Sequence, residues 1–334
     1  DLIIARDGIV TDDIYQALVS YKDQYEIEVT KQKSWMGVFA GYFLLTSLIV
    51  GVFLLYLQFH AKEVFNRFNS ILFMLMWLVL YSYIVYVVEQ RVGLSAYMIP
   101  FCIAPIVIRI FFNERLAIVA HVIIVLMASF LSTEGYEFTF LQILAGLVAI
   151  LSSIEVRDWT RFFRSMVLIF LAYGLGFLGL SLIETGSFQE IDWSVYSWIF
   201  LNILFTLLAY PLVPLLERMF GFISPITLVE LSDMNRPLLR ELSIKAPGTL
   251  QHSLQVANLS EAAATQIKAD QLLVKVAALY HDIGKMAKPH FFIENQSGKN
   301  PHDNLSELES AKAIIDHIPD GIALAKKHGL PDVI

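Results

Sequence analysis

The chain has 334 residues, is 56% hydrophobic and carries a formal net charge of −7, from 24 basic and 31 acidic side chains. An apolar share that large, with a mean hydropathy of +0.60 and only 16% charged residues, excludes an ordinary soluble domain and points to a membrane protein with soluble flanks. The acidic balance argues against a nucleic-acid binder, and the single cysteine, Cys102, excludes an intrachain disulfide.

Residues 1–33 are polar. Asp7-Gly8 signals a turn, and Thr11-Asp12-Asp13 can cap a helix in which Ile14, Ala17, Leu18 and Tyr21 recur at helical spacing. Seven apolar runs follow, at 35–59, 68–88, 94–112, 116–131, 138–154, 162–183 and 195–216. Several approach the roughly twenty residues a helix needs to cross a hydrocarbon core; the fourth and fifth are shorter. Helices are expected because lipid offers no partner to loose backbone groups. Pro100, Pro105, Pro211 and Pro214 are expected to bend them. Trp35, Trp159, Trp193, Tyr196 and Trp198 sit near run ends, as an aromatic belt does.

Loop charge sets the orientation. With the first 33 residues outside, the inner loops hold Lys62, Arg67, Arg109, Arg115, Arg157, Arg161, Arg164 and Arg218. The outer loops hold acidic stretches at 134–137 and 184–192, and Arg91, Lys31 and Lys33 run against the trend. Seven crossings then deliver the C-terminal segment to the cytoplasm. Arg109 and His121 lie in or near runs, as functional ionisable groups or as bundle-facing contacts. The stretch 217–247 alternates leucines with charges and is expected to form short helices under the membrane.

The chemistry-bearing residues come next. Pro247-Gly248 break the chain before a helix carrying His252. An apolar run through Val276 and Leu279 then delivers His281-Asp282, followed by Ile283-Gly284-Lys285. Neighbouring side chains on a helix point about 100° apart, so two can approach one metal ion from adjacent directions. Imidazole and carboxylate suit divalent cations. Gly284 removes the side chain where the helix is expected to end, and Lys285 sets a positive charge beside the pair. Downstream, His317 falls in an amphipathic segment with Ala311, Ile314, Ile315 and Ile318. One helix per ligand is how helical bundles build metal sites.

His252, His281-Asp282 and His317 together resemble the HD phosphohydrolase superfamily. The stretch from Leu228 to Leu239, Ala246-Pro-Gly-Thr249, Tyr280 to Met286, Phe292-Ile-Glu-Asn-Gln296 and Asn300-Pro-His-Asp303 narrow the resemblance. They look like the seven-transmembrane HD family, which includes cyclic-di-AMP phosphodiesterases of the PgpH type. That resemblance implies an all-α fold: the end of an extracytoplasmic domain (1–33), a seven-helix transmembrane bundle (34–217), a helical linker (218–247) and an HD domain (248–334). It implies the bacterial cytoplasmic membrane, with the N-terminus outside and the HD domain in the cytoplasm.

The implied activity is hydrolysis of cyclic di-AMP to a linear dinucleotide, regulated through the membrane or extracytoplasmic part. The implied cofactors are two divalent ions, iron or manganese. His252, His281 and Asp282 would hold one, and Asp282 and His317 the other. Asp282 and Lys285 are the implied catalytic residues. Lys285 and His302 are the candidates for contact with substrate, although a surface histidine is the equal alternative for His302. The implied partners are cyclic di-AMP, membrane lipid and an extracytoplasmic ligand of unknown identity, with a homo-oligomer left open and no nucleic acid. Another nucleotide substrate (a guanosine polyphosphate or a nucleoside triphosphate) and a non-catalytic nucleotide receptor are the alternatives. The family pattern continues past His317 with further histidines and a closing aspartate, and His328 falls too soon to be one of them. The HD domain is therefore expected to be truncated at Ile334 and, as written, inactive.

Overall fold

Apolar runs fold as helices here because a helix satisfies its own backbone where water cannot. The computed structural model describes residues 10–32, 34–152 and 159–334, the side chains of 25–32 and 159 excepted, and no strand occurs among the described residues. Asp7-Gly8, Lys33, Ile154 and Arg157 lie outside the described residues, as do the side chains of Lys31 and Trp159.

After α1 (Asp12–Gln32), the apolar part comprises α2 (Trp35–His60), α3 (Lys62–Phe65), α4 (Phe68–Glu89), a 3-10 turn (Ala96–Met98), α5 (Ile103–Phe111), α6 (Glu114–Ser129), α7 (Gly135–Leu151), α8 (Trp159–Thr185), α9 (Val195–Thr206) and α10 (Ala209–Phe220). Among the described residues α2, α4 and α8 are long and apolar enough to cross a membrane, and α9 with α10 makes a fourth if the bent pair is one span. Length alone therefore gives three or four spans among the described residues, where seven crossings were expected. With 16 residues in α6 and 17 in α7, each rises only about 25 Å, short of the roughly 30 Å hydrocarbon core.

The two interrupted runs have identifiable causes. Pro211 lacks an N–H and its ring opposes the Leu207 carbonyl. The chain tightens there, with Leu208 N–H donating to Phe205 O at 2.9 Å, and the halves meet at 44°. In the third run Pro100 separates the 3-10 turn from α5. The irregular backbone this creates is buried and served by side chains from other helices. Asn202 donates to Tyr97 O at 2.9 Å and Ile99 O at 2.7 Å, and the Tyr81 hydroxyl donates to Pro100 O at 2.7 Å. Non-helical backbone at membrane depth is tolerated only under such cover.

His121 is fully buried, with Nε2 2.8 Å from Gln142 O. Gly146 makes room for it, since a Cβ there would fall on the imidazole. Arg109 donates to Ile150 O and lies 3.7 Å from Glu114. Both are bundle-facing contacts.

The apolar core divides near residue 222. Phe220 and Phe222 pack with the membrane helices. Leu228, Leu231, Leu238, Leu239 and Leu242 instead join Ala257, Val276, Leu279, Ile283 and Met286 in a second core. The second core is built by α11 (Pro225–Leu231), α12 (Pro237–Lys245), α13 (Pro247–Ile267), α14 (Gln271–Tyr280) and α16 (His317–Lys327), with α15 (Glu307–Ile315) leading into α16. The first three each open on proline, whose fixed φ and missing N–H suit that position. Lys268 takes the left-handed conformation (φ 57), and Ala269 N–H closes α13 on Ala264 O at 2.9 Å. Asp270 then caps α14 through Leu272 and Leu273 N–H. This tight reversal lays α14 against α13 and returns the chain towards His252.

Candidate metal centre

Three segments converge on Asp282. α13 carries His252 on its second turn. α14 ends at Tyr280, whose hydroxyl donates to Leu231 O at 2.8 Å, and the next two residues leave the helix. Asp282 has φ −113 and ψ 15, the bridge region where active-site residues are often found. α16 begins at His317. The segment expected as one helix across 311–318 breaks at Asp316, and this puts His317 on the first turn of a new helix.

The carboxylate has two differently occupied sides. Oδ2 lies 3.1 Å from His281 Nε2 and 3.9 Å from His252 Nε2. Oδ1 lies 3.6 Å from His317 Nε2. Ligand atoms of His252, His281 and Asp282 all fall within 4.8 Å of one another, as a single ion requires. Two of the rings are oriented from behind: His281 Nδ1 bonds Ala278 O at 2.8 Å, and His317 Nδ1 bonds Ile314 O. A carbonyl can only accept, so Nδ1 carries a proton and Nε2 faces the centre, where it donates to Asp282 while protonated and would present a lone pair to a cation once it loses that proton. Asp282 is 6% exposed, whereas the three imidazoles are open to solvent on one side. The donor set fits one divalent cation at His252–His281–Asp282, and Oδ1 is left facing His317.

Lys285 belongs to the same centre. Its Nζ lies 2.8 Å from Asp282 Oδ2, 2.8 Å from Glu294 Oε1 and 4.9 Å over the Phe292 ring. Phe292 in turn meets the His317 ring edge-on. Burial alone would raise the Asp282 carboxyl, but hydrogen bonds from His281 and Lys285 outweigh it and hold the group far below the usual carboxylate range. The bond to Asp282 raises His281. Burial opposes the charge on Lys285, yet Asp282 and Glu294 raise its pKa.

His302 is not brought to this cluster. Its Nε2 bonds Phe291 O at 2.9 Å and its Nδ1 pairs with Ser310 Oγ of α15 at 2.5 Å, so both ring nitrogens have protein partners. Glu294, Thr249 and Asn295 were given no role by sequence reasoning. Thr249 Oγ1 donates to Glu294 Oε1 at 3.0 Å, and Asn295 Nδ2 donates to Thr249 Oγ1 at 2.7 Å. No periodicity joins residues so far apart in the chain; the only signal was their occurrence in two of the quoted motifs.

A family model described as "7TM receptor with intracellular HD hydrolase" matches residues 36–224, and one described as "HD domain" matches 249–334. The chain is 29% identical over 345 residues to the cyclic-di-AMP phosphodiesterase PgpH of Listeria monocytogenes, covering 99% of this chain and 47% of that protein. It is 29% identical over 338 residues to PgpH of Bacillus subtilis, covering 95% and 48%. The chain thus spans about half the length of the curated relatives it matches. The crystal structure of the L. monocytogenes PgpH HD domain in complex with cyclic-di-AMP aligns at 47% identity over 30% of this chain and 48% of that one, with a TM-score of 0.29.

Proposed function

We propose that this chain, which belongs to the family of 7TM receptors with an intracellular HD hydrolase, is the membrane and catalytic part of a phosphodiesterase that opens cyclic di-AMP. One observation carries the proposal: a single buried carboxylate turns Oδ2 towards His252 and His281 and Oδ1 towards His317. Both relatives above bear the name cyclic-di-AMP phosphodiesterase, which supports the choice of substrate.

His252, His281 and Asp282 would hold one ion, and Asp282 with His317 the other; iron or manganese suits mixed imidazole and carboxylate donors. When bound, such a pair supplies an activated water and neutralises phosphate charge. The reaction consumes one water: a P–O bond to it forms, one phosphodiester P–O bond breaks, and the released sugar oxygen takes a proton. Asp282 would hold the centre together as the ligand common to both ions. Lys285 donates to a non-bridging phosphate oxygen as a compact point charge. The seven apolar runs form seven crossings, some short or broken and shielded by neighbours, with the N-terminus outside and the HD domain in the cytoplasm of a bacterium.

The test is hydrolysis of a panel of cyclic dinucleotides, guanosine polyphosphates and nucleoside triphosphates by the full-length protein, with metal analysis. Cyclic di-AMP is expected to be the preferred substrate, with about two ions per chain. Preference for another nucleotide overturns the substrate, and binding without turnover overturns the enzyme.

Topology is tested separately, and Cys102, fully buried, is not expected to label. Ser187→Cys is expected to react with an impermeant thiol reagent in intact cells, and Arg164→Cys to stay unlabelled until the cells are opened. The reverse pattern would put the HD domain on the wrong side of the membrane.

A further inference from the structure

Lys285 presents a physical difficulty. Its ammonium sits on Asp282 Oδ2, the oxygen that also faces His252 and His281. A cation bound there would take over that oxygen and repel the ammonium at short range. A lysine with four rotatable carbons and no second anchor would then swing into solvent. The second anchor is present. Glu294 Oε1 receives Lys285 Nζ at 2.8 Å and Thr249 Oγ1 at 3.0 Å on the same oxygen.

The acceptor is itself held in place. Thr249 N–H donates to Asn295 Oδ1 at 3.2 Å, and Asn295 Nδ2 returns a bond to Thr249 Oγ1 at 2.7 Å. Gly248 lets the backbones meet, because a Cβ there would fall on Glu294 O and 2.9 Å from Asn295 Oδ1. The start of α13, one turn before His252, is thereby locked to the short 3-10 segment Ile293–Asn295. Phe292, the residue before that segment, lies under the ammonium.

We infer that Glu294 is a positioning residue for Lys285. It keeps the ammonium at the edge of the centre, aimed at substrate phosphate, when metal occupies Asp282, and Thr249 and Asn295 hold Glu294 for that purpose. The inference rests on the phosphodiesterase reading, and its test separates the two. Full-length protein is assayed on cyclic di-AMP and on bis(p-nitrophenyl) phosphate, a generic phosphodiester, with metal content measured on the same samples. Wild-type hydrolysis of the generic ester without cyclic di-AMP turnover would remove the substrate assignment and leave the role of Glu294 testable on the generic ester.

Glu294→Gln is expected to keep full metal stoichiometry, to raise KM about tenfold, the scale of a lost charge-assisted hydrogen bond, and to change kcat much less. Glu294→Asp, which keeps the charge, is expected to recover part of KM. In a Lys285→Ala background, Glu294→Gln is expected to add nothing, since residues acting through one group are not additive. The inference is overturned by a wild-type KM in Glu294→Gln, by loss of metal from it, or by the same KM rise with and without Lys285. Thr249→Val is a milder probe should Glu294→Gln fold poorly: a KM rise in the same direction supports the inference, and a wild-type KM opposes it.

Discussion

Asp282→Ala in the full-length protein is expected to release both metal ions and to lower turnover of cyclic di-AMP by about a thousandfold or more, the scale seen when one member of a catalytic unit is removed. No other described side chain faces His252, His281 and His317 at once. Without the carboxylate one ion would keep only His252 and His281 and the other only His317, too few protein donors to hold either. Asp282→Asn keeps the shape but not the charge and should behave nearly as badly. A variant that retained both ions and normal turnover would rule out the proposed centre.

In chelator-treated protein the same carboxylate has a second, pH-dependent effect. Its pKa is depressed, so its contribution to stability is present above the unfolded value of about 3.9 and lost as pH falls through the lower folded value. His281 is raised, so its contribution is full below about 6.5 and fades as pH rises through the folded value. The metal-free wild type should therefore gain most over Asp282→Ala between about pH 4 and 6.5, read from thermal unfolding of the two proteins at matched pH.

The membrane part was legible where periodicity and length decide. The runs at 35–59 and 68–88 became α2 and α4 almost to the residue, because a long apolar stretch has one economical fold in lipid. The interruptions were half legible. Pro100 and Pro211 announced a disturbance, but the sequence could not show that Asn202 and Tyr81 would satisfy the carbonyls the first one frees. At the site, His281-Asp282 was conspicuous as a dipeptide, and His252 and His317 as histidines on amphipathic segments. Glu294 was not, since an acidic residue in a polar stretch has no pattern, and only the fold brings it to Lys285 and Thr249. His302 shows what pattern leaves open. A histidine among turn formers reads as available, yet its nitrogens bond Phe291 O and Ser310 of α15.

Gly284 was read as a helix terminator, but the structure gives it a different task, and Gly284→Ala is the second large expected effect. The residue lies in the 3-10 segment Ile283–Ala287, packed directly on the first turn of α16. A Cβ at this position would fall on His317 O, 2.5 Å from Gly321 N and 2.9 Å from Gly321 Cα. These are backbone atoms, so no rotamer change relieves the overlap, and α16 must move away. His317 stands on that turn, and its Nε2 reaches Asp282 Oδ1 across 3.6 Å. His252 and His281 stand on α13 and at the end of α14, which pack against each other independently of α16. Gly284→Ala is therefore expected to keep about one metal per chain of an expected two and to lose stability by about 1–3 kcal/mol, the range for overpacking. Turnover should fall about a hundredfold, the scale of a 1 Å misplacement at a reacting centre. Gly321→Ala supplies the graded comparison, because a Cβ there meets Gly284 N at 3.3 Å, a tight contact that a small shift relieves. Metal content, thermal unfolding and turnover of the two variants should rank Gly284→Ala below Gly321→Ala on all three measures. Full metal and turnover in Gly284→Ala would mean that His317 does not depend on this backbone contact to reach Asp282.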